Sequence, residues 1–277
     1  MACACGRTTA PKGERVSELV GVLPAAGRGS RLGAIPCSKE IMPLGFQPSA
    51  ETALAWQPVT ALELHLHALR LAGARRAVIV ISETKADVVR YIGDGSRYGL
   101  AVAYVYQQQL RGMPFALNLA QPWVGQAQTL FAMPDTLITP PATLARLTEA
   151  HHRRGADVTL GLFPTVTPHK FGMVALAATG RIEQFVDKPT QTDLHLMWGL
   201  AVWSPRFTAF LAADLAQRPS DGGECVLSDV FAAALAADFD IQGVLLEGAH
   251  YHDIGTPEDF QAVVLNLALR QAAPRVE

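Results

Sequence analysis

The chain has 277 residues, 49% of them apolar and 17% charged, and its charges sum to −2 at neutral pH. That composition supports a large buried core and excludes whole-chain disorder, and the near-zero balance gives no basic footprint for a nucleic-acid partner. Cys3, Cys5, Cys37 and Cys225 form no Cys-x-x-Cys pair, so neither a disulfide scaffold nor a structural zinc site is expected, and reduced thiols suit a cytoplasmic protein.

In chain order, residues 1–17 mix Gly, Pro, Thr and charge without the apolar stretch of a secretory leader; they read as a flexible extension ahead of one domain over 18–277. Leu19 to Leu23 is a short apolar run closed by Pro24, the pattern of a buried strand. Residues 58–72 carry Leu62, Leu64, Leu66, Leu69 and Leu71 before Gly73, which predicts a helix with a glycine stop. Ala77 to Ile81 is a β-branched run expected of a strand covered on both faces. A helix over 86–92, a strand over 101–106, a helix over 113–121, a strand over 129–133, a helix over 140–154 and a strand over 158–163 follow. This fivefold alternation predicts an α/β fold with a mostly parallel sheet. The texture then changes. Runs at 171–176 and 181–186 read as a hairpin, 196–203 and 241–246 as further strands, and 205–217, 226–237 and 257–270 as helices. No run of about 18 apolar residues suggests a membrane span.

The first strand opens directly into Pro24-Ala25-Ala26-Gly27-Arg28-Gly29-Ser30-Arg31-Leu32. Small residues let the backbone approach a ligand, and successive N–H groups in such a turn make a nest for anions. Arg28 and Arg31 add positive charge, and Lys39 can reach a phosphate as a point charge. The turn lacks the Gly-Lys-Ser/Thr of a P-loop, and Leu32 stands where the dinucleotide fingerprint needs its third glycine.

The segment resembles the first motif of the sugar-1-phosphate nucleotidylyltransferases, Gly-x-Gly-Thr-Arg-Leu followed by Pro-Lys-x-x-Leu-Pro-Val, with Ser30 in place of Thr and Ser38 in place of Pro. Gly93-Asp94-Gly95-Ser96-Arg97-Tyr98-Gly99-Leu100 is similar to the Gly-Asp-Gly-Ser-x-Trp-Gly-Leu string of glucose-1-phosphate thymidylyltransferases. The likeness runs from about Leu19 to Phe260. It implies a Rossmann-like, mostly parallel sheet covered by helices on both faces, with an added antiparallel sugar-binding portion. It also implies a nucleoside triphosphate and a sugar 1-phosphate as substrates. Ala25, Ala26, Gly27, Gly29 and Ser30 would then cradle the nucleotide, and Arg31, Lys39 and Lys188 would be catalytic. Gln107 and Gly112 match the family's Gln-x-x-x-x-Gly and would meet the base; a side-chain amide offers a pyrimidine both donor and acceptor.

Asp135 follows the strand over 129–133, and a carboxylate there points into the crevice where α/β proteins bind ligands. The family resemblance makes Asp135 a ligand of Mg²⁺ and assigns Asp253, in His252-Asp253-Ile254-Gly255-Thr256-Pro257-Glu258-Asp259, as the second. Two carboxylates completed by phosphates and water suit that ion. Asp187-Lys188-Pro189 is similar to the family's Glu-Lys-Pro, and Phe171-Gly172 and Trp198-Gly199 match its sugar-pocket strings. Thr136, Gly172, Asp187, Lys188 and Gly199 are therefore expected on the sugar phosphate. His250 and His252 flank the second metal position and suit its rim better than coordination. The expected reaction is nucleotidyl transfer, with dTTP or UTP favoured, in a chain that makes no membrane contact and is compatible with a homo-oligomer. The stretch between Arg31 and Lys39 is shorter than in thymidylyltransferases, and an insertion occupies roughly Gln47 to Trp56. A cytidylyltransferase acting on another phosphate acceptor is one alternative. A non-catalytic nucleotide-binding homologue, motivated by Pro134, Thr136 and Asp187, is the other.

Overall fold

A computed structural model describes residues 18–48, 55–219 and 223–272. The expected extension over 1–17, and residues 49–54 of the expected insertion, lie outside the described residues.

The chain begins with β1 (Leu19–Pro24), in which five of six residues are buried. The hairpin β2 (Gly45–Pro48) and β3 (Trp56–Val59) comes next, and then α1 (Ala61–Leu71). This helix starts later than its leucine pattern predicts because Pro58 and Val59 are spent in β3. Thr60 is its N-cap, with Oγ1 accepting the Glu63 N–H at 3.3 Å, the Thr-x-x-Glu signature of a helix start. There follow β4 (Arg76–Ile81), α2 (Ala86–Ile92), β5 (Ala101–Tyr106), α3 (Met113–Val124), β6 (Gln128–Ala132), β7 (Thr136–Thr139), α4 (Thr143–Arg154) and β8 (Val158–Pro164). The second part holds β9 (Gly172–Leu176), β10 (Ile182–Asp187), β11 (Leu196–Trp203), α5 (Pro205–Gln217), α6 (Leu227–Ala236), β12 (Ile241–Leu245), β13 (His250–Asp253) and α7 (Pro257–Ala272).

Strands β6-β1-β4-β5 lie side by side and parallel. The main sheet is mixed beyond them. β11 enters antiparallel against β6 and β8, β12 adds parallel to β8, and the antiparallel β9–β10 hairpin joins at the start of β11. So β8, the fifth strand of the expected alternation, does not extend the parallel half; β11 is wedged between it and β6. Helices cover both faces. One core cluster unites Phe131 and Leu160 with Leu117 of α3, Phe207 of α5 and Phe231 of α6. The other unites Leu23 and Ile79 with Leu66 of α1, Val88 of α2 and Leu147 of α4. Gly21 explains the close approach of α1 to β1: a Cβ there would run into the Leu69 side chain.

Two pairings have no precursor in the sequence pattern. β2 pairs β3, and β7 pairs β13 antiparallel with Asp253 opposite Thr136. Asp135 consequently sits in the link between β6, which ends at Ala132, and β7, rather than at the end of the strand expected over 129–133. The order in which strands are added reverses at β1, because β4 and β5 lie to one side of it and β6 to the other. Such a switch point leaves a crevice beyond the carboxyl ends of the strands.

Candidate functional site

A cleft of about 990 Å³ opens at that crevice. Its floor is the turn after β1. Ala26, Gly27, Ser30 and Arg31 line it, while Ala25 and Gly29 do not. Ala25 is buried and its N–H is spent on the Val80 carbonyl at 2.7 Å. Gly29 adopts a left-handed φ of 68° and stands against the Lys39 stem. Lys39 sits on a single 3₁₀ turn, Lys39–Ile41, and crosses the cleft to an ion pair with Asp135.

Asp135 and Asp253 converge because β7 and β13 pair. The Ile254 N–H donates to the Asp135 carbonyl at 3.2 Å, and the Gly255 N–H donates to Asp253 Oδ1 at 2.9 Å. Burial pushes the Asp253 carboxyl up from its ordinary range and the Asp135 charge adds to it; the Gly255 N–H, Arg31 and Lys39 oppose the rise. Burial works against the Lys39 ammonium, but the Asp135 carboxylate outweighs it and holds its pKa above the usual lysine value. The pair of acids thus carries an electrostatic demand for positive charge. Among the described residues no group of three His, Cys, Asp or Glu side chains is arranged to hold a metal. Two hard oxygen donors in an open cleft fit Mg²⁺, which keeps several water or phosphate ligands and needs few carboxylates.

Gln107, the first residue after β5, is buried against the cleft, and its Nε2 has no hydrogen-bond acceptor. A buried amide donor without a partner is costly, so this one is set to receive an acceptor from a ligand. Gly112 lies nearby at φ 104°, where a Cβ would meet the Cys225 backbone. Gly172, Asp187, Lys188 and Gly199 also line the cleft, as does Thr136 beside Asp135. Lys188 has a positive φ of 44° while its N–H donates to the Phe171 carbonyl at 3.0 Å. A non-glycine residue held in that region is a strained conformation of the kind found at ligand clamps. A Cβ on Gly172 would strike Trp198 and Ser228, and one on Gly199 would strike the Tyr251 ring.

Of the residues assigned to substrate or metal from the sequence, all but Ala25 and Gly29 line one cavity. Tyr251, Glu224, Cys225 and Ser228 line it as well without having been singled out. His65 is a further supporting group. It is buried on α1, with Nε2 3.0 Å from the Thr136 carbonyl, so that nitrogen carries the proton. Burial lowers its pKa to about 4, against the bond to Thr136. His250 and His252 line a second cavity of about 630 Å³, which shares Lys170, Phe171, Tyr251 and Asp253 with the cleft.

A family model described as nucleotidyl transferase matches residues 20–269. The chain is 26% identical over 257 residues to a glucose-1-phosphate thymidylyltransferase of Streptomyces griseus, an alignment covering 91% of this chain and 67% of that one. It is also 26% identical over 243 residues to the low-salt glycan biosynthesis nucleotidyltransferase Agl11 of Haloferax volcanii, covering 86% of this chain and 63% of that protein. The chain thus spans about two thirds of the length of these relatives. Among solved structures, UDP-glucose pyrophosphorylase complexed with UDP-glucose superposes with a TM-score of 0.73 at 17% identity, covering 91% of this chain and 99% of the other. That is a likeness of fold.

Proposed function

The chain belongs to the nucleotidyl transferase family, and on that premise we propose that it acts as one domain that joins a nucleoside triphosphate to a sugar 1-phosphate, giving a nucleotide sugar and pyrophosphate. The observation that carries this reading is the convergence of Asp135 and Asp253, far apart in the chain, beside Lys39 and Arg31 in one cleft. On the same reading the turn Ala26–Ser30 faces the triphosphate, Gln107 meets the base, and Lys188 meets the sugar phosphate. The named relatives act on glucose 1-phosphate and in glycan biosynthesis, and a phosphate-bearing sugar is the acceptor that best suits Lys188 and Asp187 in the same cleft.

The chemistry is in-line displacement. An oxygen of the sugar phosphate forms a bond to the α-phosphorus, and the bond from that phosphorus to the pyrophosphate oxygen breaks. The nucleophile is already an anion, so no side chain has to remove a proton. The protein's task is to bring two polyanions together and align them. Lys188 draws the acceptor phosphate in. Arg31 meets the charge that builds on the leaving pyrophosphate. Lys39, half-buried and held protonated by Asp135, turns from that partner to the triphosphate. Asp135 and Asp253 would hold Mg²⁺, which when bound supplies the positive charge that offsets the α-phosphate. dTTP and UTP are the favoured donors, because an amide beside a glycine turn is suited to a pyrimidine edge.

The test measures pyrophosphate release by the purified chain with dTTP, UTP, CTP, ATP and GTP, each with and without glucose 1-phosphate, other sugar 1-phosphates and non-sugar phosphate esters, with Mg²⁺ present. Release that requires a sugar 1-phosphate supports the reading. CTP turnover confined to a non-sugar phosphate would replace it with the cytidylyltransferase alternative. Tight nucleotide binding with no release from any pair would leave a nucleotide-binding homologue without catalysis.

A further inference from the structure

Lys39 reaches the cleft from a turn of only three residues that has no side-chain cap. The residues on either side of it are each tied to one other segment. The Ser38 N–H donates to Asp87 Oδ2 at 2.6 Å and the Ser38 hydroxyl donates to Asp87 Oδ1 at 2.7 Å. Glu40 is ion-paired to Lys85 at 2.7 Å with both side chains almost wholly buried. Lys85 and Asp87 belong to the connection and first turn between β4 and α2. The same connection begins at Ser82, whose hydroxyl donates to the Ala26 carbonyl at 2.9 Å, and it closes on itself through the Lys85 N–H to the Ser82 carbonyl at 3.1 Å. One short segment therefore grips both loops that face the triphosphate.

A buried ion pair is poor value as a stabilising device, because desolvation consumes most of its attraction; its best-attested use is to fix a register. Here the register has an evident object. Anchoring residues 38 and 40 to one segment fixes the backbone from which Lys39 reaches Asp135. The Asp87 bond also gives Ser38 a use that a proline at that position could not serve, since proline has neither the N–H nor the hydroxyl. We infer that Ser82, Lys85 and Asp87 form a brace of positioning residues that holds Lys39 and the turn after β1 in the geometry for nucleotidyl transfer. None of them touches a reacting atom on this reading, which rests on the proposed function; they act through Lys39 and Ala26.

The experiment has one readout that needs no turnover. In the free full-length chain, reductive methylation followed by peptide mass spectrometry should label Lys39 at least tenfold more slowly than exposed Lys188. Asp87→Ala should raise the Lys39 rate threefold or more and leave Lys188 unchanged. The double variant Glu40→Gln/Lys85→Met, which removes both charges together, should do the same. In the turnover assay these variants should lower kcat tenfold or more while KM for the nucleotide moves less than threefold. Ser38→Ala should give a smaller loss of the same kind, restored by Ser38→Thr. Should Asp87→Ala fail to fold, the Ser38 pair decides. Unchanged Lys39 labelling and unchanged kcat in folded variants would overturn the brace. A wild-type chain with no turnover would sink the functional reading, and the labelling rates would still decide the brace.

Discussion

Gln107 carries a buried donor that the free protein leaves without an acceptor. Leaving such a group unpaired costs about 1–3 kcal/mol, whereas an apolar group of similar shape avoids that cost. Gln107→Met should therefore leave the free chain as stable as the parent or more stable, while weakening the nucleotide about tenfold, or ~1.4 kcal/mol. Melting curves without nucleotide, set beside calorimetric titration with it, check both halves; a variant that melts lower and binds equally well would show the amide to be structural. Asp135→Asn keeps the shape and removes the charge that Lys39 and Asp253 both feel. Its expected loss in kcat is about 10²–10³, the usual effect of removing one preorganised electrostatic contact, with the far-ultraviolet spectrum unchanged. At this scale Arg31, Lys39, Gln107, Asp135, Lys188 and Asp253 were legible as candidates through strings that resemble the family's motifs, and the structure lines one cleft with them. Tyr251 and His65 were not. Their roles come from contacts with Gly199 and Thr136, and no spacing in the sequence announces a contact between segments so far apart.

Elements were legible in proportion to their length and apolar content. β1, β4 and β8 are near-continuous apolar runs and were found within a residue or so. β7 and β13 are four residues each, and β13 reads His-Tyr-His-Asp. A segment that short shows no period, and its strand character exists only in the pairing that also brings Asp253 to Thr136. The β2–β3 hairpin hid behind prolines at positions 48 and 58. The start of α3 gives an element-scale prediction. Gly112 caps it at φ 104°, and an added Cβ would meet the Cys225 backbone, which cannot swing away as a side chain could. Gly112→Ala should destabilise by more than about 1 kcal/mol, since alanine is strained at positive φ whatever the space. Gly155 ends α4 at φ 64° and ψ 23°, in the left-handed region with open space around it, so Gly155→Asn should cost less, asparagine tolerating that region. Urea unfolding of the two variants makes the comparison, and equal losses would mean that the Cys225 contact is not tight.

Across the whole molecule the buried ionisable groups set how stability follows pH. His65 on α1 and His151 on α4 are both buried, in two helices that pack on one another. Burial lowers the pKa of each to about 4 from an ordinary 6.5; for His151 the neighbouring His152 adds to the fall. The folded chain therefore holds both rings neutral where the unfolded chain protonates them. The unfolded state binds more protons between pH 6.5 and 4, so stability rises with pH across that window and is lost on acidification. Each histidine contributes a slope of about 1.4 kcal/mol per pH unit. Glu40 works in the opposite sense, since burial raises its carboxyl despite the Lys85 charge, and it offsets part of the fall toward the acid end. Denaturant titrations at pH 7, 6 and 5 should show stability dropping with each step. His151→Asn can keep a donor or acceptor for Thr159, which His151 Nδ1 meets at 2.9 Å, yet it cannot titrate. That variant should flatten the slope by about one proton's worth, ~1.4 kcal/mol per pH unit. An unaltered slope would mean that the acid sensitivity arises elsewhere, with His65 the next group to replace.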